Sequence, residues 1–257
     1  MSSDALLSYR LTARYGTAVV LRDVSGTLAR GEIAALVGLS GSGKSTMALA
    51  LQRLLQYRGG VAEGTIVLEG TELMGLSGRG MRGVRGRRIG YVPQSPGLAL
   101  NPKVRVRTLV EETWRAHEDR RMEVGFAENL LGRVQLPGDR EFLDRHAGEL
   151  STGQGQRLLI ALAILHGPSL LIADEPTSAL DAITQAAVLR LFADLNRESG
   201  TAILFISHDL LSVAGIAHRV DILHEGTVVE SGPPALIFGE PVHPFTRALV
   251  DAMPRRP

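Results

Sequence analysis

The stretch Gly38-Leu39-Ser40-Gly41-Ser42-Gly43-Lys44-Ser45-Thr46 constrains this chain more than any other. It follows the apolar run 33–37 and precedes 47–55, whose apolar spacing predicts a helix. In that strand, glycine loop and helix order, Gly-x-x-x-x-Gly-Lys-[Ser/Thr] has a mechanism. Glycines let backbone N–H groups crowd onto phosphates, the lysine neutralises the outer phosphates, and the Ser45 hydroxyl ligates Mg²⁺. Gly38, Ser40, Gly41, Ser42, Gly43, Lys44, Ser45 and Thr46 are the candidate phosphate-binding residues, and nucleoside triphosphate binding is the chemistry implied. Only Lys44 and Lys103 are lysines among 28 Lys and Arg. For either to have both glycines and a following hydroxyl by accident has a chance on the order of a few in a thousand. A chain that uses Arg almost everywhere keeps Lys here, where a compact point charge on a flexible stem is wanted.

A length of 257 residues allows one large α/β domain with a sizeable core. Net charge +1, from 28 basic and 27 acidic residues, gives no global electrostatic reason to bind nucleic acid or anionic lipid. With no cysteine, disulfides, thiolate zinc sites and cysteine-bound iron–sulfur clusters are excluded, which fits a cytosolic setting. Met1-Ser2-Ser3-Asp4 lacks the basic and then apolar run of a secretory signal. The longest strongly apolar stretch, 158–165 between Arg157 and His166, falls short of the roughly 20 residues that span a bilayer. Any membrane link is expected to run through a partner.

Residues 6–28 alternate apolar and polar in two runs broken at Gly16, which predicts an antiparallel hairpin. Residues 64–68 and 88–92 read as strands. Between them, 75–87 is dense in Gly and Arg and reads as a solvated loop, its Arg79, Arg82, Arg85 and Arg87 lacking the aromatic interleaving of a nucleic-acid face. From 109 to 147 the pattern turns helical, with Trp114, Phe126, Leu130, Leu131 and Val134 set among charges. A strand at 169–173, a helix at 181–197, a strand at 202–207 and a short helix from Leu210 then imply parallel strands with crossover helices. Strands at 220–223 and 227–229 flank the turn His224-Glu225-Gly226, and one helix is expected at 245–252.

Leu170-Leu171-Ile172-Ala173-Asp174-Glu175 is an apolar strand ending in two carboxylates, where the edge of a parallel sheet opens onto a ligand crevice. Asp174 is the candidate to hold Mg²⁺ through its water shell, and Glu175 to polarise the water that attacks the γ-phosphate. Gln94 follows a strand and starts the helical insert, placing its amide to reach Mg²⁺ or the attacking water. A lone histidine is usually structural, but His208 follows the strand 203–207 and is positioned to hydrogen-bond the γ-phosphate. Leu150-Ser151-Thr152-Gly153-Gln154 precedes an apolar helix, so Ser151, the Gly153 backbone and Gln154 offer a second helix-N-terminal anion site beside the simpler reading of Ser151 as an N-cap. Two phosphate cradles on different subdomains suggest that the second serves a nucleotide held by another copy.

Assembled in order, these residues resemble the ATP-binding subunit of ABC transporters across nearly the whole chain. Tyr15 is similar to that family's adenine-stacking aromatic, 38–45 to its Walker A, Gln94 to its Q-loop, 150–154 to its signature and 170–175 to its Walker B. Ser178-Ala179-Leu180-Asp181 resembles its D-loop and His208 its switch histidine. The resemblance implies an α/β P-loop NTPase with ATP and Mg²⁺ as cofactors. It carries a parallel RecA-like core sheet and an N-terminal antiparallel β subdomain over 1–94 and 166–257, with a helical subdomain inserted at 95–165. It implies a nucleotide-dependent homo- or heterodimer that sandwiches two ATPs, two membrane permease subunits docked beside the Q-loop, and a periplasmic or extracellular solute-binding protein. It also places the chain at the cytoplasmic face of the membrane, with no nucleic-acid partner.

The family's signature usually reads Leu-Ser-Gly-Gly-Gln, whereas this chain has Thr152 at the third position and Gly155 just after. β-Branched Thr resists φ > 0, so if that position needs such a conformation the signature is weakened and Thr152→Gly is expected to raise turnover. Ala99-Leu100-Asn101-Pro102 and His243-Pro244-Phe245-Thr246-Arg247-Ala248-Leu249 resemble importers of oligopeptides, dipeptides and nickel. Many of those subunits continue into a cysteine-bearing extension. This chain stops at Pro257, which makes it resemble the shorter nickel or metal-chelate type. The rival assignment is an ATPase of a soluble complex, such as the phosphonate carbon–phosphorus lyase assembly.

Overall fold

Four strands that run side by side in space, but not in sequence, carry the chemistry-bearing residues at their C-terminal ends. The structure, a computed structural model, describes residues 5–253. Residues 1–4 and 254–257, on which the reading of an absent leader and the last residues of the chain bear, lie outside it. The chain opens with β1 (Ala5–Tyr15), β2 (Ala18–Ala29) and β3 (Ile33–Val37), which runs into α1 (Lys44–Leu51). Helix α1 is shorter than its apolar spacing predicts, because Arg53 adopts φ 53 and turns the chain into a 3-10 segment, Leu55–Arg58. Then come β4 (Gly60–Leu68), β5 (Thr71–Glu72), α2 (Gly78–Val84) and β6 (Ile89–Val92).

Helix α2 corrects the expectation of a solvated loop at 75–87. Ser77 caps it by accepting from Gly80 N at 3.1 Å, and Met81 and Val84, three apart, bury its one apolar edge. Three glycines within it hide this short pattern from a propensity reading. Two of the loop's arginines have structural partners: Arg85 donates to the carbonyls of Gln52 and Arg53, and Arg87 pairs with Glu118.

The segment between β6 and the next core strand is helical: α3 (Pro96–Ala99), α4 (Val106–Arg115), α5 (Phe126–Arg133), α6 (Arg140–Asp144) and α7 (Thr152–Ile164). The core resumes with β7 (Leu170–Asp174), α8 (Ala182–Ser199), β8 (Ala202–Ser207), α9 (Leu210–Ala214), β9 (Arg219–His224) and β10 (Thr227–Gly232). It ends with α10 (Pro234–Gly239) and α11 (Pro244–Asp251). Helices α3 and α10 have no counterpart in the sequence reading; each is short, with proline in its first turn.

Two sheets result, a four-stranded one in the order β2-β1-β4-β5 and a six-stranded one in the order β10-β9-β3-β8-β7-β6. The first is antiparallel; in the second, β9, β3, β8, β7 and β6 are parallel and β10 closes the edge antiparallel to β9. Alternation along the central strands divides the core. Ala34, Leu36, Leu170, Ile172, Leu204 and Ile206 face α1 and the antiparallel sheet. Ile33, Ala35, Val37, Leu171, Ala173, Ile203 and Phe205 face α7, α8 and the helices after β6. Strands β7 and β8 are buried along their whole lengths, as a parallel sheet covered on both sides requires. Gly90 lets α7 lie directly on β6, since a Cβ there would meet the Ala163 carbonyl.

The stretch from His243 clasps the last helix to the β9–β10 hairpin. His243 Nδ1 accepts from Phe245 N at 3.2 Å, the Phe245 ring stacks on His224 with centroids 3.8 Å apart, and Glu230 accepts from the Val242 and His243 amides. Among the described residues no helix is long and apolar enough to cross a membrane.

Candidate functional site

Strand register brings the site together. Val37 lies beside Ser207, Ile206 beside Asp174, and Ala173 beside Val92, so β3, β8, β7 and β6 end at nearly one level. The glycine loop, His208, Glu175 and Gln94 come just after these strand ends and therefore gather at one edge of the sheet. This is the edge at which parallel sheets bind ligands.

Gly43 caps α1 with φ 108, a conformation that glycine adopts without strain, and the loop closes through Ser42 N donating to Leu39 O at 3.1 Å. Lys44 is the first residue of α1 and is 4% exposed. Its ammonium donates to the carbonyls of Gly38 at 2.9 Å and Leu39 at 3.0 Å and stands 3.7 Å from Glu175 Oε1. Among the described residues, the buried Ser42 Oγ has no hydrogen-bond partner. Leu39, Ser40, Gly41 and Ser45 are exposed, Thr46 is half-buried, and the loop is open to a ligand.

Glu175 is the hub. Gln94 Nε2 donates to its Oε2 at 2.9 Å, and His208 Nδ1 lies 3.1 Å from the same oxygen. Its backbone has φ 47, the left-handed region that non-glycine residues rarely occupy. Its N–H still donates to Ile206 O at 2.9 Å, so the ladder holds the residue while the chain turns off the strand. Strain maintained by surrounding structure is common at functional sites.

Asp174 is buried, and both of its oxygens accept hydroxyl protons: Oδ1 from Ser45 at 3.1 Å and Oδ2 from Tyr91 at 3.3 Å. Burial raises its carboxyl above the ordinary aspartate value, opposed by those two hydrogen bonds. Burial, then the charge of Asp174, likewise raises the Tyr91 phenol. Ser45 Oγ, the Asp174 carboxylate and the Gln94 amide oxygen are hard donors of the kind that Mg²⁺ takes together with phosphates and water, so the residues present fit that ion. Tyr91 was missed by sequence reasoning. Its only signal is a polar tip on β6 three residues before Gln94, and nothing local says that β6 lies against β7.

The remaining predicted residues lie outside this cluster. Tyr15 ends β1 half-buried, its ring over Gly60 and near Leu55. Ser151 caps α7 reciprocally with Gln154: its hydroxyl accepts from Gln154 N at 3.2 Å, and Gln154 Oε1 accepts from Ser151 N at 3.1 Å. Thr152 is the first residue of α7 and is not among the positive-φ residues. The strain on which the expectation for Thr152→Gly depends is therefore absent. Asp181 caps α8, accepting from Ile183 N, Thr184 N and the Thr184 hydroxyl, which lower its pKa. A Cβ on Gly153 would stand 2.8 Å from Thr184 Cγ2, so this glycine lets the starts of α7 and α8 pack side by side. Gly155 does the same against Pro96 of α3, with a Cβ 3.0 Å from Pro96 Cβ.

Residues 21–178 match the family model described as ABC transporter. A Brucella melitensis protein named as a peptide import ATP-binding protein is 42% identical over 245 residues, 92% of this chain and 72% of that protein. A glutathione import ATP-binding protein of Escherichia coli is 41% identical over 243 residues, 91% of this chain and 39% of that longer protein. Among solved structures, the ATP-binding cassette MJ0796 in a dimeric post-hydrolysis state bound to ADP and Pi superposes with a TM-score of 0.75. It has 26% identity and covers 89% of this chain and 98% of that one. Clostridium perfringens cbiO1, part of the ABC transporter complex cbiONQ, gives a TM-score of 0.78, 26% identity and coverage of 93% and 92%.

Proposed function

The chain belongs to the ABC transporter family as an ATP-binding, ATP-hydrolysing subunit, and from that premise we propose that it powers an importer of small peptides. Relatives named for peptide and glutathione import support this cargo class over nickel or a metal chelate, towards which the sequence alone leaned. The observation that carries the reading is the convergence of Lys44, Gln94 and His208 on Glu175 at the end of one parallel sheet.

In this reading the loop 38–46 cradles the triphosphate, Lys44 leaves Glu175 for the outer phosphates, and Tyr15 stacks on the adenine. Ser45, Asp174 and Gln94 hold Mg²⁺, which when bound supplies charge neutralisation for the phosphates. Glu175 accepts the proton of the attacking water, held by Gln94 and His208 at the one oxygen they share. Ser151, Gly153, Gln154 and Asp181 act on the nucleotide of a second ATPase subunit, with the region 95–165 serving as a helical subdomain that carries the first three. Two permease subunits hold the dimer at the cytoplasmic face of the membrane, and a solute-binding protein delivers cargo.

The test is to isolate the protein with its membrane partners and measure transport of labelled di- and tripeptides across proteoliposomes, with ATP on the side that the ATPase subunits face. ATP-dependent peptide transport, abolished by Glu175→Gln, supports the proposal. Copurification with a soluble enzyme core and no permease pair overturns it.

A further inference from the structure

Tyr91 lies outside every motif read from the sequence. It belongs to β6, the edge strand of the core sheet, and its neighbour in β7 is Ile172, two residues before Asp174. The side chain shares a face with Ile89, packs against the α1 side of the core and is only partly exposed, and its hydroxyl ends 3.3 Å from Asp174 Oδ2. The other carboxylate oxygen, Oδ1, is held by Ser45 from α1. A carboxylate gripped at both oxygens by hydroxyls on two separate elements has its plane fixed. A neutral phenol has one proton to donate, and no other side-chain hydrogen bond of Tyr91 competes for it among the described residues.

The two grips differ in their duties. The Ser45 hydroxyl is also the one the Mg²⁺ reading needs as a ligand, its lone pairs offered to the ion while its proton stays with Asp174. Tyr91 has no such second duty. We propose that Tyr91 is a positioning residue for the metal carboxylate: its hydroxyl holds Asp174 in orientation at the oxygen that Ser45 does not hold, and ties that carboxylate to the strand that leads into Gln94. This rests on the assignment of Asp174 to the Mg²⁺ site. A length of 3.3 Å is long for a hydroxyl–carboxylate hydrogen bond, and such bonds often tighten only in the loaded complex.

The test compares binding of a non-hydrolysable ATP analogue with Mg²⁺ and with EDTA, by titration calorimetry, in the full chain and in Tyr91→Phe and Asp174→Asn. The ratio of the two dissociation constants reports the metal's contribution to binding. Removing only the hydroxyl is expected to reduce that ratio roughly three- to tenfold, the effect of one such hydrogen bond, with affinity in EDTA unchanged. A merely structural role weakens binding equally with and without metal, and that result overturns the proposal, as does wild-type behaviour in both conditions. If Asp174→Asn lowers the ratio while Tyr91→Phe does not, the proposal for Tyr91 fails and the metal assignment stands. If Asp174→Asn leaves the ratio unchanged, the metal assignment fails, and the proposal with it.

Discussion

The Lys44 ammonium lies 3.7 Å from Glu175 Oε1, with 4% of the lysine side chain and 14% of the glutamate side chain exposed. This cation stands where phosphates are expected, and its partner is the carboxylate expected to activate water. The pair is a contact that a triphosphate must break. On the proposed reading Lys44 turns to the phosphates while Gln94 and His208 stay on the other oxygen of Glu175, so the base is oriented from one side and freed on the other.

Lys44→Ala is expected to weaken ATP affinity about 10- to 100-fold, the loss of charge-assisted contacts to phosphate. Titration calorimetry with ATP checks this, and tight binding retained by the variant contradicts the placement of the nucleotide at this loop.

Glu175→Gln keeps the shape of the side chain and a hydrogen-bonding group opposite Gln94 and His208 while removing the proton acceptor. Phosphate release is expected to fall about a hundred- to ten-thousandfold, the usual span for a general base, with ATP binding intact. Size-exclusion chromatography with saturating ATP is expected to show a stable dimer; a species that stays monomeric counts against the shared-nucleotide arrangement.

Thr152→Gly is expected to leave ATP turnover of the assembled transporter unchanged or lower. Thr152 occupies the first turn of α7 and is not at positive φ, so glycine relieves nothing and costs helix α7 about a few tenths of a kcal/mol. A rise in turnover would show that this residue takes another conformation at the dimer interface.

Glu69 gives a pH signature. Burial works to raise its pKa, but hydrogen bonds and charge from Arg88, with further bonds from Ser169 and Arg30, prevail and hold the carboxyl below the ordinary glutamate value. A carboxylate whose folded pKa is depressed stabilises the fold above its unfolded pKa, and that contribution is lost as pH falls through the folded value. In Glu69→Gln, the drop in thermal midpoint between pH 7 and pH 3 is expected to be smaller than in the wild type, with a loss at pH 7 of about 1 kcal/mol or less. Equal drops in the two proteins would assign the acid limb to other groups.

Locally encoded features were legible in the chain itself. The glycine loop is written in the residues that need positive φ and close phosphate approach, at Gly41 and Gly43. The carboxylate-tipped strand is written in an apolar run with two acids at its end, and the cap at Ser151 in the polar residue before its helix. Each depends on contacts within a few residues, so sequence alone determines it.

Strand order does not. Glu175 meets Gln94 from 81 residues away and His208 from 33, and Tyr91 reaches Asp174 across 83, because crossover helices set β6, β7, β8 and β3 side by side. That adjacency depends on how two buried faces pack against α1 and α7, a balance over dozens of distant side chains that no local pattern records. For the same reason, tertiary packing decided the helix at 78–84 and the second hydroxyl on Asp174.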